Sequence, residues 1–192
     1  MGYLPHRSCK GAINAKLNPL RTKQQLHESA VGRRIAELFA QEEDEKISIE
    51  KLFERFNSKC FKTKKNLNFD DRKSWAIDHI LPSKFLYPLS IENAALLSKE
   101  ANDNKRDKWP SEYYTNNELI KLARITGANL QLLSSRVPII NQQIDVNSCV
   151  SKFLKVREGS NLPKRIGELK KLISAYGLED KLSRENKKIL GL

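Results

Sequence analysis

The stretch Asp78-His79-Ile80-Leu81-Pro82, continued through Asn93 to Asn102, decides how the rest of the chain is interpreted. It places a carboxylate, an imidazole and two carboxamides in one short, mostly apolar segment. Side chains of these types hold divalent metal ions and move protons in hydrolytic sites. The segment therefore predicts a metal-assisted hydrolytic site if the fold brings its two ends together.

The elements around this stretch are expected to do so. Trp75-Ala76-Ile77 is predicted to form a strand that delivers Asp78 and His79 to a loop closed by Pro82. The residues from Ser98 to Lys108 are predicted to form a helix. The loop and the helix then face each other, which is the minimum geometry for a metal beside a general base.

Each side chain has a candidate role. His79 is the candidate base, because an imidazole titrates near neutrality and a backbone carbonyl can fix its tautomer. Asp78 points to the opposite side of the strand, so it binds a metal only if the loop is distorted locally. The oxygens of Asp78 and Asn102 suit Mg²⁺, for which Mn²⁺ can substitute. A single carboxylate favours one metal ion over two.

The composition favours a polyanionic partner. The 192 residues include 35 Lys and Arg against 23 Asp and Glu, a formal charge of +12 that indicates nucleic acid before membrane. No apolar run approaches the roughly 20 residues of a membrane span, and no signal-peptide apolar region is seen. The three cysteines, Cys9, Cys60 and Cys149, are widely spaced and odd in number, which argues against a disulfide framework. We therefore expect a cytoplasmic protein.

The N-terminal part is predicted to be an arm followed by two helices. Residues 1–21 have no periodicity. A helix begins near Thr22 and ends at the acidic run 42–45, with an apolar stripe of Val31, Ile35, Leu38 and Phe39. A second helix is capped by Ser48 and carries Ile49, Leu52, Phe53 and Phe56 on one face. The two helices are expected to pack as a pair.

The C-terminal part is also predicted to be helical. Trp109-Pro110 is expected to stop a helix, and Thr115-Asn116-Asn117-Glu118 forms a capping box for another that Gly127 ends. A connector around Pro138 leads to a stripe that begins at Val150 and to a last long helix from Pro163 to Gly177. The expected fold class is thus α+β and mainly helical, with one small β-hairpin element at residues 74–97. Trp75 and Trp109 bracket this element and are expected to pack against it.

Positive charge is concentrated in two segments. Residues 57–73 hold six Lys and Arg against two Asp, and they form either a DNA-facing surface or an ordinary solvated loop. Residues 151–192 hold 11 Lys and Arg against 5 Asp and Glu, half of the net charge of the chain. Basic helices in this second segment are candidates for contact with phosphates.

The central segment resembles a known family. Its pattern, Asp-His-Ile-x-Pro, then Ser-Ile-x-Asn, then Asn followed three residues on by Lys, is similar to the HNH nuclease motif of the ββα-metal fold. The signature positions are His79, Asn93 and Asn102. Their spacing also resembles that of the HNH domain of RNA-guided CRISPR nucleases, as does Pro110-Ser111-Glu112. The resemblance covers about residues 74–112.

The resemblance implies a role for each residue. His79 would be the general base, Asp78 and Asn102 would bind the metal, and Asn93 would hold the loop that carries His79. Lys105 would approach the phosphate. Further DNA contacts are expected from other basic residues near the motif, namely Lys84, Arg106, Lys62, Lys64 and Lys65.

Departures from the family narrow the expectation. Thr63 stands where a second cysteine would follow Cys60, so no structural zinc is expected. A chain of 192 residues cannot supply the guide-binding lobes of an RNA-guided effector. The expected organisation is an arm and helical pair over 1–57, an HNH core over 58–112 and a helical DNA-contact or dimerisation region over 113–192.

The predicted function is a Mg²⁺-dependent endonuclease that cuts double-stranded DNA. The chain is most similar in kind to HNH-type type II restriction endonucleases, and a homodimer is expected because one ββα site cuts one strand. Three alternatives stay open: a homing endonuclease, an RNA-cleaving HNH toxin, and a non-catalytic DNA-binding protein.

Overall fold

The computed structural model describes residues 23–41, 47–155 and 162–192. The chain divides into two compact units, residues 1–32 and 33–192. Of the first unit, the described residues include only the first turns of helix α1 (Lys23–Ala40). The predicted arm over 1–21 and the acidic run 42–45 lie outside the described residues.

The described residues form an α+β protein that is mainly helical, as predicted. Helix α1 is followed by α2 (Ile49–Arg55) and by strands β1 (Trp75–His79) and β2 (Ala94–Ser98), with a 3-10 turn at Ser83–Phe85 between the strands. The later helices are α3 (Lys99–Lys105), α4 (Pro110–Tyr113), α5 (Asn116–Thr126), α6 (Leu130–Leu133), α7 (Val146–Lys155), α8 (Leu162–Tyr176) and α9 (Arg184–Leu190). A second 3-10 turn, Glu179–Lys181, precedes α9. Within the described ranges, no helix has both the length and the apolar character needed to cross a membrane.

The two strands pair antiparallel, from Trp75 opposite Ser98 to His79 opposite Ala94. Strand β2 is buried over its whole length, because helices α2 and α3 pack on it and the backbone N–H of Phe61 donates to Leu96 O at 2.9 Å. The predicted hairpin is confirmed. Strand β1 is longer than predicted, since its pairing continues through Asp78 and His79.

Two hydrophobic cores lie within residues 33–192. The first surrounds the hairpin and includes Leu52, Trp75, Trp109 and Leu122, so that both tryptophans pack as expected. Its members come from all three predicted segments, and the boundaries at 57 and 112 both fall inside it. The second core joins α1 to the C-terminal helices through side chains such as Phe39, Val150, Leu169 and Ile173.

The predicted pairing of the first two helices is wrong. Helix α1 buries Ala36, Phe39 and Ala40 in the second core, whereas α2 contributes to the first core. Phe53 of α2 packs edge-on against Trp75 with ring centroids 5.0 Å apart. The predicted stripe of α2 lies on its buried face, whereas in the stripe of α1 only Phe39 is buried and Val31 is exposed. Neither stripe indicated which partner the helix would pack against.

Helix ends follow local chemistry. Ser48 and Thr115 cap α2 and α5 with side-chain hydrogen bonds, and Gly127 ends α5 in the left-handed conformation, as predicted. The helix predicted from Ser98 to Lys108 is shorter, because Ser98 is its N-cap and Arg106 turns the chain away at φ +52°. Pro110 begins a helix instead of stopping one, since a first-turn proline lacks an N–H that would have no partner there.

Candidate functional site

The candidate site is built at the end of strand β1. Asp78 and His79 are the last two residues of the strand, paired with Ala95 and Ala94. Successive side chains of a strand point to opposite faces, and the regular pairing shows none of the distortion that was expected to bring Asp78 round. Asp78 is buried and His79 is partly buried.

Asp78 forms a buried ion pair with Lys105 of helix α3. The Lys105 Nζ atom lies 2.9 Å from Oδ2 and donates to Oδ1 at 3.1 Å, and it also donates to the backbone O of His79 at 2.6 Å. Lys105 is 0% exposed and Asp78 is 4% exposed. Burial raises the pKa of Asp78 to about 6, although the Lys105 charge opposes the rise. Burial likewise lowers the pKa of Lys105.

The prediction that Lys105 approaches a phosphate is wrong for this structure. Its ammonium group is enclosed and neutralises Asp78, so DNA at the protein surface cannot reach it. The spacing that suggested a phosphate contact instead places Lys105 one turn after Asn102, over the end of β1. No local signal indicated that Lys105 would be the partner of Asp78, because 27 residues separate the two.

Asn93 ties the connection after His79 to the start of β2. Its Oδ1 accepts from the Leu81 N–H at 2.7 Å, and its Nδ2 donates to Leu81 O at 3.0 Å and to Pro88 O at 2.8 Å. Its backbone O accepts from the Ile80 N–H at 2.9 Å. The carboxamide is thus fully occupied by the backbone that follows His79, which leaves it no free group for a ligand.

Asn102 has a free carboxamide. It lies on α3, is partly buried, and its side chain makes no hydrogen bond to any described residue. Residues three apart share a helix face, and Lys105 on that face contacts the end of β1. Asn102 therefore lies on the side of α3 that faces Asp78 and His79.

His79 is held as a neutral base. Burial lowers its pKa to about 4, and the nearby Lys105 charge contributes to the shift. The imidazole is therefore unprotonated at neutral pH and can accept a proton. Its side chain has no hydrogen-bond partner among the described residues, so the carbonyl expected to fix its tautomer is not found there.

The side chains of the other predicted DNA contacts differ in whether they are already paired within the protein. Lys62 is paired with Glu118 at 2.7 Å, and Lys84 with Asp107 at 3.0 Å. Lys64 donates to the backbone O of Phe61 and lies over its ring. Lys65 and Arg106 are exposed, with only a 4.0 Å approach of Lys65 to Glu100 and a bond from Arg106 to Asp103 O.

The oxygen donors of the site fit a hard divalent cation. Oδ2 of Asp78 is buried and lies 2.9 Å from the Lys105 ammonium, whereas the Asn102 side chain makes no hydrogen bond to described residues. Carboxylate and carboxamide oxygens are what Mg²⁺ prefers. In the described part of the chain, no group of three or more His, Cys, Asp or Glu side chains could hold a metal ion. The candidate protein ligands are Asp78 and Asn102, and the Lys105 charge already neutralises the first of them.

Cys60 is part of the core. It is buried, its thiol donates to Ser98 Oγ at 3.6 Å, and its sulfur accepts from the Thr63 N–H at 3.4 Å. Burial alone would raise the pKa of the thiol, but these hydrogen bonds outweigh it and lower the pKa. The Cys60 turn is thus closed by hydrogen bonds at the place where a zinc-binding turn would have its second cysteine.

No family model matches the chain.

Proposed function

We propose that this protein is a metal-dependent endonuclease of the HNH type that hydrolyses phosphodiester bonds in double-stranded DNA. The observation that carries the proposal is the position of His79 at the end of β1, beside helix α3, whose Asn102 carboxamide makes no hydrogen bond to described residues. A ββα-metal element consists of two antiparallel strands followed by a helix, so the order β1, β2 and α3 supports the proposal.

His79 acts as the general base. Its imidazole is unprotonated at neutral pH and takes a proton from the attacking water, although the lowered pKa also weakens it as a base. Asn93 holds the backbone after His79 through Leu81 and Pro88, and so limits the movement of the imidazole. For Asp78 and Asn102 to hold one Mg²⁺ or Mn²⁺ ion, the end of β1 would have to turn Asp78 away from Lys105, and the ion would then stabilise negative charge on the phosphate.

The substrate is DNA because of charge and resemblance together. The net charge of +12 favours a polyanion, and the central segment resembles the HNH motif, which in a chain of this length is most like that of type II restriction endonucleases. One such site cuts one strand, so a homodimer on a symmetric sequence would cut both. A homing endonuclease and an RNA-cleaving toxin share this chemistry and differ only in substrate.

A non-catalytic DNA-binding protein is the second candidate function. The observation that favours it is the ion pair between Asp78 and Lys105, because a carboxylate already neutralised by a buried ammonium is a poor metal ligand. This candidate predicts DNA binding that weakens with salt and no cleavage with any metal.

The experiment is a plasmid cleavage assay with matched variants of helix α3. Wild-type protein should nick or linearise supercoiled plasmid with Mg²⁺ or Mn²⁺ and should be inactive in EDTA. Asn102→Ala should lose activity, whereas Asn104→Ala, an exposed position two residues along the same helix, should keep it. Equal activity of the two variants would refute the assigned metal site, and no cleavage by the wild type would favour the second candidate. Structured RNA cut faster than duplex DNA would indicate the toxin.

A further inference from the structure

A groove with five basic side chains lies where α2, the turn after it and α5 meet. Its volume is about 320 Å³, and its cations are Arg55, Lys59, Lys64, Lys121 and Arg124. No acidic side chain lines it. Lys59 and Lys64 belong to the basic segment 57–73, for which a DNA-facing surface was one of two expectations, whereas Arg55, Lys121 and Arg124 were not predicted to contact DNA.

The fold fixes these cations around one space. The turn after α2 is closed by hydrogen bonds from the Cys60 N–H to Lys65 O and from the Lys64 N–H to Cys60 O, each 2.9 Å. This turn carries Lys59 and Lys64 to the groove. Lys121 and Arg124 are three residues apart in α5 and so share a helix face. Phe56, Phe61 and Ile125 supply the apolar part of the lining.

The cations of the groove are not held in ion pairs. None of the five forms a salt bridge with a described acidic residue, in contrast to Lys62 nearby, which pairs with Glu118. Lys59, Lys121 and Arg124 are exposed, and their side chains make no hydrogen bond to described residues. Burial lowers the pKa of Lys64; the Glu118 charge opposes this shift, and the Lys121 charge adds to it. An anion placed among these groups would relieve their mutual repulsion.

We propose that this groove binds the sugar-phosphate backbone of duplex DNA. Lys and Arg side chains without acidic neighbours contact phosphates and position the protein, without reading bases. The inference rests on the proposed nuclease function, which requires a nucleic acid to bind at the protein surface. An acidic polypeptide is the competing ligand that the same charges would attract.

The location of the groove suits a second contact on the same duplex. Cys60, which lines the groove, contacts Ser98 at one end of β2. His79 of the candidate site pairs with Ala94 at the other end. Four residues of strand separate these ends by roughly 13 Å at about 3.3 Å per residue. This is about four base pairs at roughly 3.4 Å each, so a duplex of about 25 base pairs is long enough to span both positions.

The test is DNA binding by the full chain in EDTA, where cleavage cannot interfere. Fluorescence anisotropy of a labelled duplex of about 25 base pairs, measured over a range of salt concentrations, gives the salt slope of the affinity. The groove variant combines Lys59→Gln, Lys121→Gln and Arg124→Gln. The comparison variant removes the same charge from exposed positions of α1 and α2, for which no DNA contact is predicted, as Arg33→Gln, Arg34→Gln and Lys51→Gln.

The groove variant should bind more weakly and its log–log salt slope should fall by about 2 to 3, since each lost phosphate contact removes about 0.9. The comparison variant should change the slope by less than about 1. Equal slopes for the wild type and the groove variant, or equal losses in both variants, would overturn the proposal. It would also be overturned if the groove variant lost binding to poly-glutamate while its DNA binding was unchanged.

The two proposals fail in different ways. A wild type that cleaves DNA, with a groove variant that binds normally, overturns the groove and leaves the nuclease function standing. A wild type that binds through the groove but never cleaves overturns the nuclease function and supports the groove as a DNA site.

Discussion

Replacing Lys105 with methionine should destabilise the protein far more than a typical lysine substitution. The Lys105 ammonium is 0% exposed, lies 2.9 Å and 3.1 Å from the two Asp78 oxygens, and donates to His79 O at 2.6 Å. Methionine has a similar length but leaves the carboxylate and the carbonyl without their donor. Removing one partner of a buried ion pair costs about 3 to 5 kcal/mol, and we expect a loss of unfolding free energy in that range for Lys105→Met.

The assay is urea unfolding in EDTA, followed by the fluorescence of Trp75 and Trp109, which lie in the same core. Lys99→Met is the matched control on the same helix, because its pair with Asp103 is exposed and 3.9 Å long. That control should cost less than about 0.5 kcal/mol. The double variant Asp78→Leu/Lys105→Met should recover most of the loss, since no unpaired charge is then buried. Equal stability of Lys105→Met and Lys99→Met would show that the ion pair is not buried.

Three further predictions use the same unfolding assay. Asn93→Ala should cost about 3 kcal/mol, at about 1 kcal/mol for each of its three side-chain hydrogen bonds; a loss as small as that of Asn104→Ala would contradict the bracing role. The pKa of His79 is lowered from 6.5 to about 4, so the unfolded chain binds a proton that the folded chain does not. Burial raises the pKa of Asp78 to about 6, which changes stability in the opposite direction in both proteins. Between about pH 7.5 and pH 5 the wild type should therefore lose about 2 kcal/mol of stability relative to His79→Gln; parallel pH profiles would contradict the burial of the imidazole. Thr115→Ala should cost about 1 kcal/mol by removing the α5 cap, and Thr115→Ser much less; equal losses would rule out the capping hydroxyl.

Local signals in the sequence were sufficient for many elements of the fold. Ser48, Thr115 and Gly127 mark helix ends because a cap depends on hydrogen bonds or backbone conformation within a few residues. The hairpin was predictable for the same reason. Its first strand was predicted too short, because pairing with β2 carries the extended conformation through two polar residues, Asp78 and His79.

Features that depend on contacts distant in sequence were not predictable. Helix α1 packs in one core with α7 and α8, whose residues lie more than a hundred positions away, so the sequence did not indicate its partners. Lys105 was assigned to phosphate because it lies one turn beyond Asn102 in the predicted helix, and only the fold shows that it neutralises Asp78. The basic run 57–73 includes Lys59 and Lys64, but Arg55, Lys121 and Arg124 join them only in the folded chain.

The candidate site was predicted in part. Asn93 occupies the position expected of a brace, with its carboxamide bonded to the backbone that follows His79. Asn102 and His79 lie on elements that face each other, as the spacing suggested. The ion pairing of the Asp78 carboxylate was not predictable, because it depends on the burial of Asp78 and on the Lys105 ammonium group, which only the fold brings next to it.

The most direct test of the proposed function is single-turnover cleavage of supercoiled plasmid by the wild type and by His79→Ala. Loss of a general base typically slows hydrolysis by about 100-fold to 10,000-fold. We therefore expect metal-dependent nicking by the wild type and a decrease of at least about 100-fold in the variant, with unchanged DNA binding in EDTA. Cleavage by His79→Ala at the wild-type rate would contradict the assignment of His79 as the base, and with it the proposed mechanism.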